Sequence, residues 1–114
     1  MNMIFVFGSN LAGRHGKGAA LAAKEHHGAI TGQGEGLQGT SYAIPTKDRN
    51  LNTLQLGQIQ RHVNRFMHFA ASRPDLVFQL TPIGCGLAGY KPEQIAPMFK
   101  GAPPNVELPP EFKP

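Results

Sequence analysis

Cysteine, membrane-spanning runs and secretion signals are scarce or absent in this sequence. Its 114 residues include one cysteine, Cys85, so no internal disulfide can form, and we expect a protein of the reducing cytoplasm. No apolar stretch approaches the ~20 residues that a membrane-spanning helix requires. The N-terminal MNMIFVFGSN lacks the basic region and the small-residue cleavage site of a signal peptide. We therefore expect no membrane contact and assign the first apolar run to a strand.

Metal-binding patterns are missing as well. The five histidines include no H-x-x-x-H pair, and His26 and His27, being adjacent, point to different faces of a helix. A zinc site needs about four converging ligands, or three and a water molecule. We therefore expect neither a metal nor another cofactor. We keep His15 as a candidate, because an imidazole in a glycine-rich loop can donate a hydrogen bond to a phosphate or a ribose hydroxyl.

The chain carries few charges, and they are mostly positive. Charged residues make up 16% and hydrophobic residues 40%, which is typical of a globular domain rather than a disordered segment. The net charge of +4 and the pI near 9.6 suit an anionic partner. The basic residues are scattered singly, so a small anionic ligand fits as well as a nucleic acid. The length suits one domain spanning residues 1–114.

Strand and helix patterns alternate along the chain. Apolar runs predict strands at 3–7, 41–46, 76–83 and 105–108, the second of them ended by Pro45. Alanine richness, an apolar stripe and an initiating proline predict helices at 16–28, 53–72 and 92–99. The segment 29–40 predicts a loop with room for a short extended piece, and 101–114 an irregular tail. This order favours an α/β fold with a mixed or parallel sheet flanked by helices.

Glycine is concentrated where predicted strands end. Nine of the 14 glycines lie between Gly8 and Gly39. Ligands of such sheets sit beyond the carboxyl ends of the strands, and GSNLAGRHGKGAA (8–20) and PIGCGLAGY (82–90) both follow a predicted strand. Backbone N–H groups in such turns bind anions. Two facing loops can clamp a diphosphate, although neither has the G-x-G-x-x-G or P-loop spacing. The alternative is that the glycines only serve tight turns.

Two side chains at these strand ends admit both a chemical and a structural interpretation. Lys47, which precedes Asp48, is a counter-charge to phosphate, an amine nucleophile, or part of a solvated charge pair in a turn. Cys85 is a thiolate nucleophile or a small residue within a turn. No histidine lies within ten residues of Cys85, which favours the turn.

The same segments carry a family resemblance. GSNLAGRHGKGAALAA resembles the first loop of macrodomains, which bind ADP-ribose, and LTPIGCGLAGYKPEQIAPMF resembles their second phosphate loop and the helix after it. YAIPTKD is similar to a Thr-Lys segment in the branch that contains the terminal ADP-ribose protein glycohydrolase and the DNA ADP-ribosyl glycohydrolase antitoxins. The whole chain also resembles small macrodomain-like proteins of bacteria and phages. The resemblance covers about residues 4–99 and implies a compact macrodomain-like fold that lacks the usual N-terminal strand.

The resemblance implies roles for the matching residues. Asn10 would contact the distal ribose, Lys47 would attack the anomeric carbon, and the diphosphate would lie between the two loops. Asp48 is the acid nearest to Lys47 in sequence. The candidate ligand-contacting residues are Gly8, Ser9, Asn10, His15, Gly16, Gly18 and Ala19 in the first loop, and Ile83, Gly84, Cys85, Gly86, Leu87, Ala88, Gly89 and Tyr90 in the second.

Two departures from the family pattern bear on catalysis and on base recognition. The glycohydrolase branch has an acidic residue directly after I-G-C-G-L, where this chain has Ala88, so Asp48 would have to resolve the adduct. The aspartate that reads the adenine amino group in macrodomains has no counterpart in these 114 residues. The loop at 31–40 is a candidate to cover part of that gap.

These observations lead to two expectations about function. The first is a protein that binds ADP-ribose or a related nucleotide diphosphate, free or attached to protein or nucleic acid, with ADP-ribosyl glycohydrolase activity through Lys47 as an extension. The alternative is a nucleic-acid-binding or interaction protein that uses its basic surface. Arg61 and Arg65, on one helix face, are the best candidates for that surface.

Overall fold

A five-stranded mixed sheet forms the centre of the molecule in the computed structural model, which describes residues 2–114. The strands are β1 (Asn2–Asn10), β2 (Gly36–Gln38), β3 (Ser41–Lys47), β4 (Leu76–Leu80) and β5 (Val106–Glu107). Their order across the sheet is β2-β3-β1-β4-β5, with β2 antiparallel to β3 and the other neighbours parallel. The predicted α/β class is confirmed, and the short extended piece in the 29–40 loop is β2.

Three helices flank this sheet. They are α1 (Gly18–His26), α2 (Leu56–Ala71) and α3 (Pro92–Ile95), and α3 continues as a 3-10 turn at Ala96–Phe99. All three lie where the sequence predicts helices, and Pro92 occupies the first turn of α3. Among the described residues, no helix combines the length and the apolar character needed to cross a membrane.

The predicted end of the second main strand is wrong. β3 continues through Pro45 and ends at Lys47. The reason is that β2 pairs with β3 only between Ser41 and Ala43. The outer side of β3 therefore has no neighbouring strand at Pro45, and a missing N–H costs no ladder hydrogen bond there.

The prediction of an irregular C-terminal tail is also wrong in part. Residues Pro110–Phe112 form a 3-10 turn that buries the Phe112 ring. That ring stacks on Phe99 with 5.7 Å between ring centroids. A single aromatic side chain therefore anchors a segment whose prolines alone predict no regular structure.

Two apolar cores lie on opposite faces of the sheet, because successive strand residues point to opposite sides. The larger core packs α2 and α3 against one face, where Phe66 meets the rings of Tyr42 and Phe78. The smaller core packs α1 against the other face around Phe7 and Ala43. The predicted apolar stripe of α2 is confirmed, since Ile59, Val63, Phe66 and Ala70 are all fully buried.

The candidate site lies at the carboxyl end of β1, which is the central strand of the sheet. β1 pairs in parallel with β3 on one side and with β4 on the other. The carboxyl ends of these three strands therefore meet at one border of the sheet. We call the segments that leave it, residues 8–18, 46–54 and 81–90, the carboxyl edge.

Candidate functional site at the carboxyl edge

Short contacts hold the three segments of the carboxyl edge side by side. The N–H of Leu11 donates to the carbonyl of Lys47 over 3.0 Å, which joins the first segment to the second. The hydroxyl of Thr53 donates to the carbonyl of Ala88 over 3.0 Å, which joins the second to the third. The fold thus brings together the residues that the sequence singled out in three separate places.

Two glycines at this edge have no structural reason to be glycine. Around Gly16 in the first loop and Gly86 in the second, no atom beyond the glycine and its two chain neighbours lies within 4 Å of the position that a Cβ would take. Neither residue has a positive φ. We call Gly16 and Gly86 the open glycines. Gly18 and Gly89 also face open space, but their φ values of 58° and 88° account for the absence of a side chain.

Other glycines of the same region are enclosed by backbone. A Cβ on Gly13 would overlap the backbone of Gly32 and Gln33, and a Cβ on Gly34 would overlap the carbonyl oxygen of Asn10. We call Gly13 and Gly34 the packed glycines. The N–H of Gly32 donates to the carbonyl of Gly13 over 2.9 Å. The segment 31–36 therefore lies against the back of the first loop.

Asn10 holds the first loop in shape. Its side chain is buried, its Nδ2 donates to the carbonyl of Arg14 over 2.8 Å, and its Oδ1 accepts the N–H of Arg14 over 3.0 Å. Next to it, the buried hydroxyl of Ser9 donates to the carbonyl of Gly34. Both ends of the asparagine amide thus hydrogen-bond within its own loop.

His15 lies beneath the first loop rather than on its surface. Its ring is only 3% exposed and packs edge-on against Phe7. Its Nε2 is 3.0 Å from the carbonyl oxygen of Ile30 and 3.1 Å from that of Gln33, so it serves as the donor. This imidazole joins the first loop to the 30–33 segment, a role that its position within a glycine-rich loop does not reveal.

Lys47 and Asp48 are adjacent in sequence but have different surroundings. Lys47 is half-buried, and among residues 2–114 its ammonium group has no carboxylate within salt-bridge distance. The Asp48 carboxylate accepts the N–H groups of Asn50 and Asn52 through one oxygen, at 2.8 and 2.9 Å. Asp48 therefore closes the turn that follows β3, an arrangement typical of aspartate in turns.

The second loop is closed by its own backbone and tied to the residues before α2. The N–H of Tyr90 donates to the carbonyl of Gly84 over 2.8 Å, and the Tyr90 hydroxyl donates to the carbonyl of Leu54 over 2.7 Å. Leu87 stands at the tip with 69% of its surface exposed. The loop thus has a fixed base and an exposed apolar tip.

Cys85 sits in this loop as a half-buried thiol. Burial raises its pKa, and the carboxylates of Glu111 and Glu93 raise it further. Reactive cysteines have the opposite environment, because the thiolate is the nucleophile. The surroundings of Cys85 thus favour its interpretation as a small residue in the turn.

A charged cluster that sequence reasoning missed lies on α2. The Glu35 carboxylate is 2.8 Å from Nδ1 of His62 and 2.8 Å from an Arg65 nitrogen, and it links the residues before β2 to the helix. Burial, and next the Glu35 carboxylate, raise the pKa of the neighbouring Tyr42 to about 12. Beside this cluster lies a surface hollow of about 490 Å³, lined by Asn64, Arg65, His68, Phe69 and Ser72.

Comparisons with known proteins give no indication of function, so the function is inferred from the geometry of the site. No family model, no curated protein and no solved structure matches this chain. Within the described range, no group of three or more histidine, cysteine, aspartate or glutamate residues is placed to hold a metal ion.

Proposed function

We propose that this protein binds ADP-ribose or a related nucleotide diphosphate at the carboxyl edge, with the diphosphate between the loops at 8–19 and 83–90. The observation that carries this proposal is the pair of open glycines, one in each loop. The fold itself leaves room for a side chain at Gly16 and at Gly86. A phosphate group that approaches the backbone would account for a bare backbone at both places.

Charge at the same edge supports an anionic ligand. No side chain caps the N-terminus of α1, and its first turn contains no acidic residue. The first N–H groups of a helix have no partner within the helix and carry a partial positive charge. Lys47, without a carboxylate partner among the described residues, adds a full positive charge nearby. A diphosphate would satisfy both.

Binding fits this geometry better than hydrolysis. The glycohydrolase pattern needs an acid to complete the reaction that Lys47 would begin. The residue after the I-G-C-G-L run is Ala88, and the Asp48 carboxylate is engaged by two N–H groups of its own turn. We therefore assign Lys47 the role of a counter-charge to phosphate.

Calorimetry with ADP-ribose and AMP tests the proposal. Gly16→Ala and Gly86→Ala should each weaken ADP-ribose binding by about tenfold or more, because the new methyl group occupies the path of the phosphate, and tenfold equals about 1.4 kcal/mol. Gly57→Ala is the control, since Gly57 lies outside both glycine loops and, apart from its own helix and chain neighbours, no atom lies within 4 Å of its Cβ position. Absence of heat with the wild-type protein, or equal weakening by all three substitutions, would refute the proposal.

Lys47→Ala separates binding from catalysis. We expect weaker ADP-ribose binding in this variant, and we expect the wild-type protein to release no ADP-ribose from modified protein or DNA. Release that is lost on Lys47→Ala would show that the residue is a nucleophile instead. Release at equal rates in both proteins would remove Lys47 from the chemistry.

A further inference from the structure

The solvent-facing side of α2, away from its buried apolar stripe, carries a row of basic side chains. Arg61, Arg65 and His68 recur at intervals of four and three residues, so they project from one side of the helix. α2 contains no acidic residue, and between Asp48 and Asp75 the sequence has none. The one carboxylate paired with this face is Glu35, from outside the helix, within the part of the chain that the structure describes.

An aromatic side chain, Phe69, lines the hollow beside Arg65. Phe69 is half-buried and borders the hollow together with His68 and Asn64. Its ring packs against Tyr42 and Phe78, at 5.5 and 6.1 Å between centroids, so one part of it belongs to the larger core and the rest borders the hollow. The hollow is shallow and widely open to solvent, a shape that suits a base lying on a surface rather than an enclosed small molecule.

We propose that this face of α2 binds single-stranded nucleic acid, with a base in the hollow against Phe69 and the adjoining phosphates at Arg61 and Arg65. An aromatic surface beside a line of cationic groups is the combination that single strands need, since bases stack and phosphates pair with the charges. At the rim, the Asn64 amide can donate to base edges, and the Ser72 hydroxyl, whose proton goes to the carbonyl of Phe69 over 2.6 Å, can accept from them.

This surface is separate from the carboxyl edge. α2 begins next to that edge at Leu56, and the hollow starts at Asn64, about 12 Å further along at 1.5 Å per residue. The two proposals therefore stand or fall independently. A variant of α2 should leave ADP-ribose binding unchanged, and a variant of Gly16 should leave oligonucleotide binding unchanged.

Fluorescence anisotropy with a short labelled oligodeoxythymidine, measured over a salt series, tests the α2 surface. Arg65→Gln should weaken binding and reduce the slope of log affinity against log salt by about 0.7, the value for one phosphate contact on a single strand. Glu35→Gln should strengthen binding, because it frees the Arg65 guanidinium from its carboxylate. Phe69→Leu should weaken binding roughly fivefold or more with little change in the salt slope.

Matched substitutions on α1, at the opposite face of the sheet, make the test specific. Lys24→Gln removes the same charge as Arg65→Gln, and Glu25→Gln the same charge as Glu35→Gln, both at exposed positions. If the α2 face binds the oligonucleotide, neither substitution on α1 should change the oligonucleotide affinity much. It is refuted if the α1 and α2 variants change binding equally, if Gly16→Ala abolishes oligonucleotide binding, or if the wild-type protein does not bind at low salt.

Discussion

The packed glycines and the open glycines occupy the same region and are required for different reasons. Gly13 and Gly34 lie where two loop backbones touch, so any side chain there would collide with the protein itself. Gly16 and Gly86 lie where the protein leaves space. A cluster of glycines in a sequence can therefore contain glycines required by loop packing and glycines that leave space for a ligand. The two kinds are distinguished only by the atoms that surround each residue in the structure.

The largest effect is expected at the packed glycines. Gly34→Ala places a methyl group against the backbone of Asn10 and Leu11, which cannot move as a flexible side chain can. We expect a loss of about 3 kcal/mol of unfolding free energy. Urea denaturation followed by circular dichroism measures it. A loss below about 1 kcal/mol, the typical effect of a point substitution, would remove the distinction between the two groups.

An intermediate effect is expected at Asn10, whose side chain shapes the loop between the two kinds of glycine. Asn10→Ala removes both hydrogen bonds to Arg14 and should cost about 1–3 kcal/mol. Asn10→Asp keeps the acceptor for the Arg14 N–H and should cost less. If denaturation gives equal stability for wild type and Asn10→Ala while ADP-ribose affinity falls, then Asn10 is a ligand contact and not a loop-shaping residue.

The smallest effect on stability is expected at the open glycines. Gly16→Ala should leave the unfolding free energy unchanged or raise it by about 0.4–1 kcal/mol, because alanine restricts the unfolded chain and meets nothing in the folded one. The same denaturation series measures this change. Destabilisation comparable to that of Gly34→Ala would contradict the view that the space around Gly16 is open.

The regular elements could be predicted from the sequence because their signals are local. The α2 stripe needs only a helical period, and Gly28 ends α1 with a φ of 73° just past the helix, where glycine is common. Proline at 92 likewise indicates the start of α3. β3 is the instructive exception, since the tolerance of Pro45 depends on how far β2 extends beside it.

The inward positions of Asn10 and His15 could not be predicted, because they depend on packing between segments distant in sequence. His15 meets carbonyl groups of Ile30 and Gln33, and nothing periodic in the sequence marks that contact. The pairing of Glu35 with His62 and Arg65 is equally non-local. The resemblance to macrodomain loops predicts a site at these strand ends, but it does not show which side chains hydrogen-bond within the loop itself.

The central place of β1 also has a consequence for how the chain folds. Phe5 pairs with Ser41, and Ile4 pairs with Phe78, so β1 is synthesised before both of its neighbours and its pairing with β4 has to wait for the intervening segments. Closing such long segments costs chain entropy before any strand pairing repays it, which slows folding. Until β4 is synthesised, the run IFVF has an unpaired side, and nascent chains should be most prone to aggregate during that interval.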